Sequence, residues 1–281
     1  MIEYAFKRKD RITRREAHDL IVSMVKYGNN YHAGRPKTDA DVKRTFQGRG
    51  VSFDDVVEKC RNYNEKITFF ENLLPSTLFV SNGAKVSRVD NLTGEEDCTV
   101  EGPGMLSMST YWSQYEQAEK SLEEAIRNQN YNELLAVITA GIASIESYIM
   151  HRVDIWNKLN PTDQLIDSKS NKVSFDEKID AWIPKMSEGN KLDKSNKVWA
   201  DYKFLRSIRD NVNIHAKHTG YGVSFVEMIG TMNRFKFGIA RMLFALHRLF
   251  EEEIPAQIIR GSFAPDVELI EQTPGKQVLT P

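Results

Sequence analysis

The sequence is poor in cysteine, in surplus charge and in long apolar runs, and each shortage removes a class of protein. Cys60 and Cys98 are the only cysteines in 281 residues, far apart, with no CxxC and no Cys/His run at metal-ligand spacing. A disulfide framework is excluded, and reduced thiols in a cytosolic protein are the simplest reading. The N-terminus lacks the apolar core of a signal peptide, and no stretch reads as long enough to span a bilayer. The expectation is therefore a cytoplasmic protein without a membrane partner. Lys plus Arg number 38 against 39 Asp plus Glu, a net charge of -1, so nothing pulls the chain as a whole toward nucleic acid. Any such binding must come from local patches. Internal repeats and low-complexity tracts are absent as well.

What is present suits one large or two ordinary domains, since 41% of the residues are hydrophobic. Thr13 followed by Glu16 is a capping-box pattern, opening a helix that Gly28 closes. Thr38 with Asp41 caps a short helix ending near Gly48. Ser52 introduces an amphipathic run from Phe53 to Leu74, stopped by Pro75. The period then changes. Leu78 to Val86 places an Asn-Gly turn between β-prone residues, which predicts a hairpin, with a further strand near Cys98 to Val100. Gly102-Pro103-Gly104 reads as a domain boundary.

Beyond it the pattern is helical again. Tyr111 to Asn128 is a polar helix, with Ser121 and Glu124 as an interior kink or cap. Tyr131 to Lys158 carries the apolar stripe Leu134, Leu135, Ile138, Ile142, Ile145 and Ile149, and Asn160-Pro161 ends it. Ser174 with Glu177 caps a helix through Trp182. Ser224 with Glu227 caps a last helix running to Glu253. The expected organisation is 1–104, N-terminal helices plus a β-hairpin or small meander with a nucleic-acid-binding or sensing role; 105–255, a helical bundle; and 256–281, a tail. The fold class is mainly α with a small β-hairpin insertion.

One stretch breaks the local rules. From Lys194 to Ile208 the residues Trp199, Tyr202, Leu205 and Ile208 recur at helical steps, and Val212 continues them. Asp210, Asn211 and Asn213 then follow, although they compete with the helix for backbone hydrogen bonds and no Gly or Pro appears before Gly220. Such violations are expected at functional or strained places. Arg209, the polar Asp210 after it, and then His215 closely resemble the signature of the HEPN superfamily, an Arg and a His separated by four to six residues. The flanks agree: Glu146 on an upstream helix, Ser174-Phe175-Asp176-Glu177-Lys178 with Trp182, then Trp199 and Leu205. The resemblance covers roughly Tyr131 to Glu253. Arg241 and His247 share the spacing, but apolar Met242 follows the Arg, so that pair reads as packing and surface positions.

The resemblance implies an antiparallel helical bundle, an α+β region before it, and a metal-independent endoribonuclease needing no cofactor. Its substrate is RNA, and its partners a second copy and an antitoxin or defence-system protein. RNA carries its own nucleophile, so cleavage needs a base for the 2′-hydroxyl, an acid for the departing 5′-oxygen, and neutralisation of the phosphorane-like transition state. Histidine does both proton jobs, with a pKa of about 6.5. Arginine offers a fork that matches phosphate oxygens and keeps its charge. Six residues apart on a straight helix is roughly 120° of rotation, so Arg209 and His215 do not share a face, whereas Asn211 and His215 do. A two-fold contact that brings two motifs together would complete the site.

Carried over, His215 is the general base or acid, Arg209 the phosphate clamp, Asp210 its orienter, and Asn211 positions the imidazole or the RNA. Glu146 and His218 would support them, and Lys217 and Tyr221 would touch RNA. Arg11, Arg14 and Arg15, in a basic cluster at the first helix, could grip phosphates without regard to sequence. Plainer readings stand beside each. A histidine on an apolar face is more often a hydrogen-bonded core residue, Arg209 and Asp210 could be surface charges, and a charge run is usually a solvated face.

Overall fold

The computed structural model describes residues 3–28, 38–48, 50–63, 77–82, 85–90, 96–101, 110–167, 172–211 and 223–272. Helices dominate, accompanied by two small antiparallel sheets, so the mainly α expectation holds. The chain divides into two compact units that interleave in sequence. One comprises Met1–Lys9, Ser109–Met242 and Asp266–Pro281; the other Asp10–Met108 and Leu243–Pro265. This corrects the expectation of consecutive domains. The cause is strand β1 (Glu3–Arg8), which pairs antiparallel with β5 (Val267–Gln272) and so ties both ends of the chain into one unit. The expected boundary at Gly102-Pro103-Gly104 lies outside the described residues.

The unit holding β1 and β5 is built on two helices, α4 (Thr110–Asn128) and α5 (Tyr131–Leu159). Along α5 the residues Leu134, Ile138, Ile142, Ile145 and Ile149 are all buried, each stabilising by roughly 1.5–3 kcal/mol. Ser121 is buried within a continuous α4, so the expected kink or cap there is absent. By length and composition alone α5 could cross a membrane, contrary to expectation; half of its most apolar window is buried inside the protein.

After α5 come α6 (Phe175–Glu177), a π-helical turn (Lys178–Trp182), α7 (Ile183–Met186) and α8 (Lys197–Arg209). Helix α9 (Phe225–Phe235) starts at the expected Ser224/Glu227 capping box and runs through a second π-helical turn (Lys236–Ala240) into α10 (Arg241–Leu249). That helix ends before the expected Glu253, with Glu251 in the left-handed region at φ 55°. Asn233 of α9 bonds both backbone groups of Val267, at 2.7 and 3.0 Å, and so fixes the start of β5.

The other unit contains α1 (Arg14–Tyr27), α2 (Asp39–Gln47) and α3 (Phe53–Cys60), with the capping boxes of α1 and α2 formed as expected. Strands β2 (Thr77–Asn82), β3 (Lys85–Asp90) and β4 (Glu96–Glu101) form the expected meander. Helix α3 does not run to Leu74. It stops at Cys60 because the backbone beyond pairs instead with an earlier segment: Ile12 N–H donates to Arg61 O at 2.9 Å and Tyr63 N–H to Asp10 O at 3.3 Å. The stretch 64–76 lies outside the described residues. The stretch 256–272 is no tail, since α11 (Ala256–Ser262) buries Ile258 and Ile259 and β5 follows in the unit already described; 273–281 lie outside the described residues. The Cys60 side chain is buried.

Candidate functional site

Helix α8 is placed by close packing. Asn196 caps it by accepting from Trp199 N–H at 3.1 Å, so it begins three residues later than the pattern predicts. Asp201, Tyr202 and Leu205 form its buried face, while Trp199 and Ile208 are half-buried. Gly238, in the second π-helical turn, lies against this face. A Cβ there would stand 2.8 Å from the Asp201 carbonyl carbon and 2.9 Å from Tyr202 N. Gly141 of α5 in turn admits Ile239, whose Cγ1 would stand 2.9 Å from a Cβ at that position. Two side-chain-free contacts therefore hold α5, α8 and the turn together.

This scaffold brings together three of the residues singled out in the sequence. Arg209 Nη1 donates to Glu146 Oε1 at 3.0 Å, across from α5. Its Nε donates to Asp210 Oδ1 at 3.0 Å, and Nη2 lies 3.0 Å from the same oxygen. The guanidinium is 15% exposed. Burial is the strongest single influence on it and opposes its charge, but Glu146 and Asp210 together prevail and raise its pKa above the ordinary arginine value. Arg209 is thus a fixed cation with a set orientation. Nη1 and Nη2 each carry a second N–H beyond these contacts.

A neighbouring pair extends the cluster. Arg206 Nη1 donates to Asp176 Oδ1 at 3.2 Å, its Nε lies 3.6 Å from Asp210 Oδ2, and its guanidinium stands 5.0 Å from the Phe175 ring centre. Lys203 reaches Asp176 at 3.4 Å. Beneath them Tyr202 is fully buried between Phe175 and Trp199, with ring centres 5.5 and 5.4 Å away. Its hydroxyl has no hydrogen-bond partner among the described residues, and burial above all raises its pKa well beyond the usual phenol range. Arg206 and Tyr202 were not named as site residues from sequence. The signal available was their four-residue step, with Arg206 four before Asp210 in turn.

The remaining sequence candidates fare differently. Asn211 is exposed, and the helix passes through Asp210 and Asn211 as a π-helical turn, a geometry frequent at functional sites. His215, Lys217, His218 and Tyr221 lie outside the described residues. In the other unit Arg11 pairs with Glu58 at 2.6 Å and Arg14 with Asp54 at 2.7 Å, while Arg15 lies 4.0 Å from Asp19. That cluster is matched by carboxylates, as a solvated face would be. Chemically, the Arg209 group offers an oriented guanidinium able to take phosphate oxygens, next in sequence to the segment that carries His215. Compared with protein-family models, curated proteins and solved structures, the chain matches none.

Proposed function

We propose that this protein is a metal-independent endoribonuclease of the HEPN type that acts in the cytoplasm as a toxin or antiphage-defence effector. The observation that carries the reading is the Arg209 clamp, a half-buried guanidinium oriented by Glu146 and Asp210 at the end of α8. A fork held in place before substrate arrives loses little freedom on binding phosphate, which is what electrostatic stabilisation of a transition state requires. In this mechanism one His215 takes the 2′-hydroxyl proton, the oxygen attacks the adjacent phosphorus, and the 5′-oxygen leaves with a proton from an imidazole acid. The products are a 2′,3′-cyclic phosphate and a 5′-hydroxyl. Base and acid come from two copies of the chain, whose motifs meet across a two-fold contact. An antitoxin or defence-system protein is the further partner this role calls for.

A second reading has its own support. Glu146 and Asp210 neutralise Arg209 within one chain, as a purely structural ion pair would. On that reading the protein is a non-catalytic HEPN-like module that binds a nucleotide or nucleic acid. Cleavage of RNA in EDTA separates the two. The nuclease reading expects wild-type cleavage with cyclic-phosphate ends, reduced about 10²–10⁴-fold by His215→Ala in a protein that still folds and dimerises. Cleavage by His215→Ala at the wild-type rate would retire the catalytic assignment of His215, and no cleavage by wild type would leave only the second reading.

A further inference from the structure

Arg206 and Arg209 are held in the same way, and both bring Nε toward Asp210. Each has its Nη1 tied to an outer carboxylate, Asp176 at 3.2 Å for Arg206 and Glu146 at 3.0 Å for Arg209. The edge of a guanidinium made of Nε and Nη2 is a fork that suits the oxygens of a carboxylate or phosphate. In Arg209 that edge is filled, since Nε and Nη2 both stand 3.0 Å from Asp210 Oδ1. In Arg206 it is not. Its Nε is buried without a hydrogen-bond partner among the described residues, and Asp210 Oδ2 lies 3.6 Å away, too far for such a bond. The Tyr202 hydroxyl, buried beneath, has no partner there either. Glu58 in the other unit shows a completed bridge, with Arg11 at 2.6 Å and Arg61 at 3.0 and 3.1 Å on its two oxygens. Asp210 saturates one fork and leaves the second without an acceptor.

We infer that Arg206 and Arg209 together form a subsite for one phosphate group, whose place the Asp210 carboxylate takes in the free chain. The inference adds a second arginine to the phosphate clamp, and it rests on the nuclease reading only for RNA as the source of that phosphate. A phosphate sets its oxygens tetrahedrally around a larger centre, so the two forks take different oxygens where Asp210 meets one fork. The subsite works by exchange and not by excess charge. Lys203, Arg206 and Arg209 stand against Glu146, Asp176 and Asp210, so the group as a whole is neutral. Asp210 is 36% exposed and turns to water as the phosphate enters. Glu146 and Asp176 keep both guanidiniums in place meanwhile, and the Phe175 ring, its centre 5.0 Å away, backs Arg206.

The test uses the full-length chain carrying His215→Ala, titrated with a fluorescent short oligoribonucleotide and, separately, with inorganic phosphate as its competitor. Asp210→Asn replaces the occupying anion by a neutral amide and is expected to tighten binding about tenfold, the difference between charge-assisted and neutral hydrogen bonds. Asp176→Asn removes the same charge from the outer side of Arg206 and is expected to gain much less. Arg206→Gln is expected to weaken binding about 10- to 150-fold, and Arg206→Lys nearly as much, because lysine keeps the charge and loses the fork. Arg206→Gln leaves Asp176 with Lys203 at 3.4 Å and Asp210 with Arg209, so no carboxylate is stranded and the fold stands, which thermal unfolding checks. These shifts with both probes would mean that the subsite takes any phosphate group; with the oligoribonucleotide alone, that it takes a phosphodiester within a strand. Equal tightening by Asp176→Asn and Asp210→Asn would overturn the subsite, as would unchanged affinity in a folded Arg206→Gln protein. Wild-type protein that never cuts RNA while these shifts hold would remove the nuclease reading and leave the subsite. Cleavage in EDTA with a KM unaltered by Arg206→Gln would do the reverse.

Discussion

Arg209 and Arg241 each stand six residues before a histidine, and the fold surrounds them with opposite chemistry. Asp210 follows Arg209 and turns back to bond it, while Glu146 reaches it from α5. Met242 follows Arg241 and is fully buried, as are Leu243 and Leu246, and the Arg241 guanidinium rests on the Phe237 ring. Past Arg209 the helix enters a π-helical turn, whereas Arg241 opens a regular one. His247 is 2% exposed, with Nδ1 at 3.5 Å from Glu252 Oε2. Spacing alone therefore carries little information. The side chain next to the arginine decides whether the helix spends that face on packing or on holding a charge.

The sharpest way to break this contrast is to remove each histidine. Under the proposed nuclease function, His215→Ala is expected to cost cleavage two to four orders of magnitude with little loss of stability, about 10²–10⁴-fold for a lost acid–base group. His247→Ala is expected to keep kcat per folded molecule while lowering stability by about 2 kcal/mol, as large-to-small changes at buried positions do. Single-turnover kinetics paired with urea unfolding reads both quantities. A fall in kcat for His247→Ala matching that for His215→Ala would erase the distinction.

A smaller effect probes the clamp. Arg209→Met leaves the Glu146 and Asp210 carboxylates without their shared cation, with an expected loss of about 1.5–3 kcal/mol for charge-assisted hydrogen bonds. Adding Glu146→Gln to that variant should recover part of the loss, which a simple packing defect would not allow. Arg209 has its pKa raised, so stability from this charge is complete below the ordinary arginine value and fades only as pH rises through a higher one. The clamp is thus constant across working pH, and under the proposed mechanism a pH dependence of cleavage near neutrality would belong to histidine.

Much of this was legible in local pattern. The capping boxes Thr13/Glu16, Thr38/Asp41 and Ser224/Glu227 announced their helices because a cap is a contact over three residues. The Glu146 contact with Arg209 was anticipated from the flanks of the resemblance. What escaped was non-local. Tyr4 and Phe6 alternate, as do Val267 and Leu269, but each run is six residues long and neither reveals that its partner lies at the other end of the chain. The early stop of α3 at Cys60 likewise depends on Asp10 and Ile12, which offer backbone partners that helix propensity cannot weigh.

The two glycines that pack α8 and α5 should differ in their response to a methyl group. Gly238→Ala presses a Cβ onto backbone atoms of Asp201 and Tyr202, which cannot yield without moving α8. The expected loss is about 1–3 kcal/mol, the range for overpacking. Gly141→Ala meets the Ile239 side chain, which can turn aside, so the loss should be less than for Gly238→Ala. Thermal unfolding of the two variants makes the comparison, and equal losses would mean that α8 is not seated by the Gly238 contact.

The smallest expected effect belongs to Tyr202. Its hydroxyl is buried without a hydrogen-bond partner among the described residues, next to the rings of Phe175 and Trp199. An unsatisfied buried hydroxyl is a penalty already present in the fold, so Tyr202→Phe removes that penalty along with the oxygen. Stability should stay level or rise by about 1 kcal/mol, whereas a loss of similar size is usual when a bonded tyrosine is changed in this way. The phenyl ring keeps its place between its neighbours, so the backbone beneath Arg206 and Arg209 should not shift. If unfolding midpoints hold while cleavage falls, the hydroxyl takes a partner only when RNA or a second copy arrives, and Tyr202 joins Arg209 as a group made ready in advance. If both hold, the hydroxyl is a tolerated defect and the site ends at Arg206.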